Sequence, residues 1–240
     1  MQSLLKWQIA YLSLPMFIIF LISSTYGLIK KNKTVFYLLI LIAAPLMAEV
    51  IFNKVLYPRF MLFYFPYIII TLAFFVSEIF KLFPRYKNVL AIGLLIILLL
   101  PIYSSLKLLT DPVNSIIPKD DSNQLLNDWP AGYGVKEVTA FLKEQSKTKK
   151  IYVATEGTFG LLPYAFQIYF YGQTNPKIDG YWPVDIDNLP QKVLDNAKTQ
   201  KTYFVFNENQ REITSAHLKF VNAFKKGSGS TYMRLFEVNP

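Results

Sequence analysis

Residues 57–80 read YPRFMLFYFPYIIITLAFFVSEIF, a run of 24 residues with only two charged side chains, Arg59 and Glu78. A helix that crosses the hydrocarbon core of a bilayer needs about 20 mostly apolar residues, so this run is long enough to span one. Its arginine stands at the start, directly before the apolar stretch. The run therefore predicts a transmembrane helix that begins with a fixed positive charge at the membrane edge.

Three further stretches of similar length and composition accompany this one. The four predicted spans are residues 9–29, 34–52, 60–80 and 88–106. Prolines fall in or near all of them, and kinked helices are tolerated in a membrane bundle because neighbouring groups satisfy the freed carbonyls. The first stretch lacks a clear cleavage site and is followed at once by KKNK, so we predict a span rather than a signal peptide.

Charge is distributed unevenly along the chain. Residues 1–106 carry nine Lys/Arg and two Asp/Glu, whereas residues 107–240 carry sixteen and fourteen. The basic excess lies at the ends of the hydrophobic segments, which is typical of membrane topology signals and argues against a nucleic-acid partner. The two halves therefore predict a membrane region over 1–106, a linker over 107–127 and an external domain over 128–240.

The loops between the predicted spans indicate an orientation. Loops 30–33 and 81–87 hold three Lys/Arg each, while the opposite side has three in total, Lys6, Lys54 and Arg59. Basic residues are enriched in cytoplasmic loops. We therefore expect a multi-pass protein of the cell membrane with both termini, the 53–59 loop and the carboxy-terminal domain outside the cytoplasm.

The carboxy-terminal part alternates between helical and strand patterns. The predicted helices are 134–145, 161–172, 189–200 and 216–226, and the predicted strands are 150–155, 177–182, 202–207 and 231–238. This alternation predicts a small α/β layer domain. The fold class expected for the chain is a membrane all-α helical bundle of about four spans followed by a small α/β extracytoplasmic domain.

Four residues near the outer end of the second and third spans are candidate site residues. Arg59 could hold a lipid phosphate bidentately, with Lys54 and Tyr57 completing a basic and aromatic loop, or it could be a snorkelling anchor at the interface. Glu49 is either a functional intramembrane acid or a residue close enough to the edge to pair with Lys54 or Arg59. The sequence leaves both pairs of alternatives open.

The external domain offers weaker candidates. His217, the only histidine, is interpreted as a surface residue rather than a triad or zinc residue, and the chain has no cysteine, so thiolate chemistry is excluded. TEGTFG (155–160) is either a tight turn or an anion-binding loop, and DWPAGYG (128–134) either packs at the membrane boundary or stacks on sugar rings. No metal or cofactor is predicted from these patterns.

Several stretches of the chain are similar to one superfamily. LYPRFMLFYFPYIIITLAF (56–74) resembles the late transmembrane signature of GT-C glycosyltransferases, in which an Arg-Tyr pair precedes a proline; here Arg59, Phe60 and Pro66 take those places. DWPAGYGVKEVTAFLK (128–143), KIYVATEG (150–157) and GYWPVD (180–185) resemble the external domain of bacterial members. Those members are the protein O-mannosyltransferases and the lipid A aminoarabinose transferases.

This resemblance implies a polyprenyl-phosphate-linked sugar donor, an acceptor at the outer face of the membrane, and contact of Arg59 with the carrier phosphate. The family's catalytic aspartate lies in an early external loop that has no counterpart here. The chain is therefore expected to be a carboxy-terminal half, inactive alone and paired with an amino-terminal half, with no catalytic residue of its own. The alternative is a non-enzymatic membrane protein with an external ligand-binding or interaction domain.

Overall fold

The computed structural model describes residues 2–52, 57–207 and 213–240. The chain divides into two compact units, Met1–Asp121 and Ser122–Pro240, the first helical and the second built on a β-sheet. The helices of the first unit are α1 (Gln2–Leu12), α2 (Leu14–Ile29), α3 (Lys33–Phe52), α4 (Phe65–Leu82), α5 (Lys87–Thr110) and α6 (Lys119–Ser122), the last reaching into the second unit. Short 3₁₀ turns precede α4 and α5 at Pro58–Tyr64 and Pro84–Tyr86.

The described residues contain three candidate spans, or four if a bent pair counts as one. Lys33–Phe52, Pro58–Leu82 and Pro84–Thr110 are each long and apolar enough to cross a membrane. The segment predicted as the first span is not one straight helix, because α1 and α2 meet at an angle of 106°. The prediction of about four spans therefore requires this bent pair to cross the membrane as one span, and the stretch 9–29 is corrected from one helix to a bent pair.

The break between α1 and α2 has a local cause. Pro15 stands in the first turn of α2, where it has no N–H to donate and its ring clashes with the carbonyl of residue 11 in a continuous helix. Ser13 absorbs the change of direction with φ 68°. Pro45 and Pro101, by contrast, lie inside α3 and α5, which continue through them.

Helices α2, α3 and α4 pack against each other, whereas α5 buries none of its side chains among the described residues. The buried Ser23 of α2 donates a hydrogen bond of 2.6 Å to the carbonyl of Thr71 in α4. Small hydroxyl residues of this kind are common where helices approach closely in membranes. The long apolar face of α5 is what lipid would cover if the helix spans a bilayer.

The described residues of the second unit form three α-helices and five strands after residue 127. In chain order they are α7 (Val135–Thr148), β1 (Ile151–Glu156), α8 (Tyr164–Tyr169), β2 (Lys177–Tyr181), α9 (Gln191–Thr199), β3 (Lys201–Phe206), β4 (Leu218–Lys225) and β5 (Tyr232–Val238). The strand order is β2-β1-β3-β5-β4. Strands β2, β1 and β3 run parallel to one another, and β5 runs antiparallel to both of its neighbours, β3 and β4. Sequence alternation predicted this mixed α/β unit.

Each face of the sheet has its own core. Ile151 and Val153 point to the side covered by α7 and α8, and Tyr152 and Ala154 point to the side covered by α9. Burial on both faces explains why β1 is buried over five consecutive residues. The unit is therefore a three-layer arrangement with β1 at the centre of the parallel strands.

The helix predicted over 216–226 is wrong, because residues 218–225 form strand β4. A bulge between Phe220 and Asn222 inserts one extra residue opposite β5. Leu218 therefore packs on one face of the sheet and Val221 and Phe224 pack on the other. Their spacing of three residues resembles a helical pattern although it comes from a bulged strand.

The α/β unit begins within the stretch predicted as a linker. Asn127 accepts hydrogen bonds at its side-chain Oδ1 from the backbone N–H of Ser228, at 2.9 Å, and at its carbonyl from the Thr231 hydroxyl, at 2.5 Å. These bonds attach residues 122–127 to the turn between β4 and β5. The boundary between the two units lies at Asp121–Ser122.

Candidate functional site

Arg59 lies at the start of the candidate span Pro58–Leu82 with its side chain exposed. Its guanidinium carbon lies 4.9 Å from the centre of the Tyr57 ring and 5.6 Å from that of Phe60. At these distances the guanidinium makes cation–π contacts with both rings. Within the described part of the chain Arg59 forms no ion pair, so its charge is not neutralised by a neighbouring carboxylate.

Glu49 does not pair with Arg59 in the structure. Its Oε2 atom is buried and has no hydrogen-bond partner among the described residues, and its charge interacts with the hydroxyl of Tyr64. Tyr64 is fully buried, and its hydroxyl lies near the Gln8 side chain without making a hydrogen bond of ordinary geometry. The predicted partner Lys54 lies outside the described residues.

A cleft in the α/β unit is the second candidate site. It has a volume of about 350 Å³ and lies at the carboxyl ends of the three parallel strands. Glu156 is the last residue of β1, Trp182 follows β2 and Asn207 follows β3. After β1 the chain forms β2 on one side of β1 and then β3 on the other side. Ligands bind α/β sheets at such a switch point.

Aromatic rings form the walls of this cleft. Trp129, Phe159 and Trp182 line it and are 45%, 82% and 61% exposed. Glu156 and Thr158 supply a carboxylate and a hydroxyl between them. Neither indole N–H makes a hydrogen bond within the described residues, so both are available as donors.

Hydrogen bonds fix the segment that carries Trp129. Asp128 accepts from the Trp129 backbone N–H through Oδ1 at 2.8 Å, and the Trp129 carbonyl accepts from Asn207 Nδ2 at 2.7 Å. The backbone N–H of Asn207 donates to Oε2 of Glu156 at 2.9 Å. Asn207 thus connects the Trp129 loop to the end of β1.

Lys226 completes the hydrogen-bond network of Trp129, Asn207 and Glu156. Its ammonium group is fully buried and donates to the carbonyl oxygens of Trp129 and Ala131 at 2.8 Å each, and to Oδ1 of Asn207 at 2.5 Å. A buried charge is tolerated only when such acceptors replace its water. Lys226 therefore holds the Trp129 loop in position rather than contacting a ligand.

The protonation of Lys226 is sensitive to this environment. Burial lowers the pKa of Lys226 to about 8, and the charges of Asp128 and Glu156 oppose that shift. At neutral pH the ammonium form still predominates. One buried positive charge therefore lies behind the Trp129 loop, outside the lining of the cleft.

A close backbone approach shapes the TEGTFG turn. The Gly157 N–H donates to the Tyr181 carbonyl at 2.7 Å, and a Cβ on Gly180 would lie 2.3 Å from the Gly157 carbonyl oxygen. Only glycine at 180 allows β2 and the turn to come this near. The Gly157 amide is used within the protein, which agrees with the turn interpretation of TEGTFG rather than with an anion loop.

The structure brings together three stretches that the sequence treated separately. DWPAGYG, TEGTFG and GYWPVD contribute Trp129, Glu156 and Trp182 to one cleft. The sequence offers DWPAGYG and TEGTFG as candidate sites, the former with sugar stacking as one alternative. It does not single out Asn207, Trp182 or Lys226. The signal that could have identified two of them is position, since Trp182 and Asn207 are the last residues of the predicted strands 177–182 and 202–207.

Other candidates contribute nothing to the cleft. His217 precedes β4 instead of lying in a helix, and its exposed ring contacts the carbonyl of Asn239 through Nδ1 at 3.2 Å. No group of three or more His, Asp or Glu side chains within 2–52, 57–207 and 213–240 could hold a metal ion.

Neither a family model, nor a curated protein, nor a solved structure matches this chain.

Proposed function

We propose that the chain is part of a membrane glycosyltransferase that uses a polyprenyl-phosphate-linked sugar at the outer face of the membrane. The single observation that carries this proposal is the position of Arg59, exposed and without an ion pair to a described residue at the start of a candidate span. A carrier phosphate lies at the headgroup level because its tail is apolar and its charge is not. Arg59 at a span end has the matching charge at that depth.

The aromatic neighbours of Arg59 favour phosphate binding by this residue over a role as an interfacial anchor. With its guanidinium over the rings of Tyr57 and Phe60, Arg59 still has N–H groups that can give two charge-assisted hydrogen bonds to one phosphate. A lysine at the same place can donate as a point charge but cannot reproduce the planar fork. The family resemblance of residues 56–74 points to the same ligand.

A second candidate function is an external ligand-binding domain on a membrane anchor without transfer activity. The observation that favours it is the cleft at the switch point, which has the position of a small-molecule site and is formed within the α/β unit alone. The two functions differ in whether the membrane unit itself binds the carrier.

The experiment is a binding measurement on the full chain in phospholipid nanodiscs with a fluorescent polyprenyl-phosphate analogue. We expect Arg59→Lys to weaken binding at least about fivefold and Arg59→Ala to weaken it further, because charge-assisted hydrogen bonds are lost. Arg85→Lys is the matched control, since Arg85 also follows a proline in an exposed turn before a candidate span. Equal affinity in all four proteins would leave Arg59 as an anchor and favour the second function.

A further inference from the structure

The α/β unit has an unusual group of exposed aromatic side chains around its cleft. Trp129, Phe159 and Trp182 surround one concavity, although large aromatic rings are normally shielded from water in a stable domain. Lys226 and Asn207 fix the Trp129 loop by hydrogen bonds, and Trp182 stands directly after β2. A concave aromatic surface of this kind indicates a ligand that has a flat apolar face.

The polar groups of the cleft narrow the ligand class. The Glu156 carboxylate, the Thr158 hydroxyl and the two indole N–H groups are placed among the rings. A pyranose ring presents C–H bonds on its face and hydroxyl groups around its rim, so it can stack on an indole while its hydroxyls donate to and accept from such groups. The volume of about 350 Å³ is at the small end for small-molecule sites, which suits a short saccharide.

Two other ligand classes fit less well. An aromatic group with a carboxylate can also enclose a quaternary ammonium ion. Here Oε2 of Glu156 already accepts from the Asn207 N–H at 2.9 Å, and the buried ammonium of Lys226 donates to the same Asn207, so the cleft is a poorer site for a cation. An acyl chain would place apolar carbon against the Thr158 hydroxyl and the two indole N–H groups and satisfy none of them.

We infer that the cleft between Trp129 and Trp182 is a carbohydrate-binding site for a neutral pyranose ring. The ring stacks on the two indoles, and its hydroxyls bind Glu156 and Thr158. This inference goes beyond the proposed carrier site and does not depend on Arg59. The sugar can come from a free or acceptor-linked glycan, or from the donor itself, because the recognised chemistry is the same.

The test uses the full chain in phospholipid nanodiscs, without sugar-headed detergents that would compete for the cleft. Neutral trisaccharides of glucose and mannose are titrated by saturation-transfer NMR and tryptophan fluorescence. Polyprenyl phosphate with and without a hexose is compared in parallel. We expect saturable trisaccharide binding if the source is a glycan, or tighter binding of the sugar-bearing carrier if the source is the donor.

Trp182→Ala is the decisive variant, because this exposed side chain belongs to neither buried core and its loss should not unfold the domain. We expect it to weaken the sugar-dependent binding about tenfold, since one stacking face is lost. Tyr171→Ala, which removes an aromatic that is 90% exposed and outside the cleft lining, should change nothing. Amide exchange in β1 and β3 verifies that both variants remain folded.

Several results would overturn the inference. They are absence of saturable binding by every sugar probe, sugar binding that Trp182→Ala leaves unchanged, and binding only of tetramethylammonium or of a fatty acid. Arg59→Lys separates this inference from the proposed function, because it should weaken the bare carrier and leave trisaccharide binding intact. Carrier binding that needs Arg59 without any sugar effect of Trp182→Ala refutes the carbohydrate site and leaves the proposed function standing.

Discussion

At the scale of single residues, Lys226 shows how the cleft depends on a side chain that does not line it. The ammonium group replaces its water with three acceptors, two of them main-chain carbonyls in the Trp129 loop. Such an arrangement fixes loop geometry at the cost of burying a charge. The exposed neighbour Lys225 has no comparable role.

We expect Lys226→Met to lower the free energy of unfolding of the α/β unit by about 1–3 kcal/mol, because buried carbonyls lose their donor. Lys225→Met should have little effect. The measurement is urea denaturation of the full chain in nanodiscs, followed by the fluorescence of Trp129 and Trp182. A Lys226→Met protein as stable as the wild type would mean that the three hydrogen bonds contribute nothing net.

The pH dependence of stability provides an independent check on the same residue. The pKa of Lys226 is lowered to about 8 in the folded protein, while the unfolded chain keeps the ordinary value of 10.5. The unfolded state therefore binds more protons between these values, and the contribution of Lys226 to stability rises as pH increases from about 8 towards 10. The wild type should gain stability relative to Lys226→Met over this range, measured as the difference in urea midpoint at pH 7.5 and 9.5. A constant difference would contradict the lowered pKa.

At the scale of elements, the strand and helix patterns of the α/β unit were predictable wherever one periodicity was maintained. Helix α7 is predicted because its apolar residues keep one helical spacing throughout, and the short apolar stretch of β1 is predicted as a strand although it is buried on both faces. The bulge in β4 interrupts the period of two, and no local signal distinguishes the resulting pattern from a helix. Long-range pairing with β5, not local propensity, decides this element.

The candidate site was less predictable than the elements, for a related reason. Arg59 could be named because its chemistry is visible beside one hydrophobic run. The cleft residues are separated by up to 78 positions, as between Trp129 and Asn207, and only the parallel pairing of β1 with β2 and β3 brings them together. Nothing in the sequence alone places Lys226 beneath them.

The turn between β4 and β5 offers a test of how these elements are fixed. A Cβ on Gly229 would lie 2.2 Å from the carbonyl oxygen of Asn127, a backbone atom that cannot move without disturbing the start of the unit. We expect Gly229→Ala to destabilise the hairpin by about 1–3 kcal/mol and to speed amide exchange in β4 and β5. Ser230→Ala, at an exposed position in the same turn, is the control. Equal exchange in the two variants would show that the turn adjusts without cost.

At the scale of the whole molecule, the bend at Ser13 gives the membrane segments two possible topologies. If α1 and α2 together cross the membrane, the chain has four crossings and both termini lie on one side. If the bent pair enters and leaves on the same side, there are three crossings and the termini lie on opposite sides. In either case the Lys/Arg count of the loops predicts that the α/β unit is external.

The absence of cysteine from the sequence makes this prediction directly measurable. Single cysteines are introduced as Ser228→Cys in the α/β unit, Tyr86→Cys in the turn before α5 and Ser3→Cys near the amino terminus. Intact cells are then treated with a membrane-impermeant thiol reagent. We expect Ser228→Cys to be labelled and Tyr86→Cys to be labelled only after lysis, because loop 81–87 carries three of the basic residues that favour the cytoplasm. Lys30, Lys31 and Lys33 favour placing the α2–α3 loop inside, so four crossings predict that Ser3→Cys is labelled in intact cells. Protection of Ser3→Cys would mean that α1 and α2 form a re-entrant pair. Protection of Ser228→Cys in intact cells, with labelling of Tyr86→Cys, would reverse the orientation and place Arg59 on the cytoplasmic side, away from an outer-face donor.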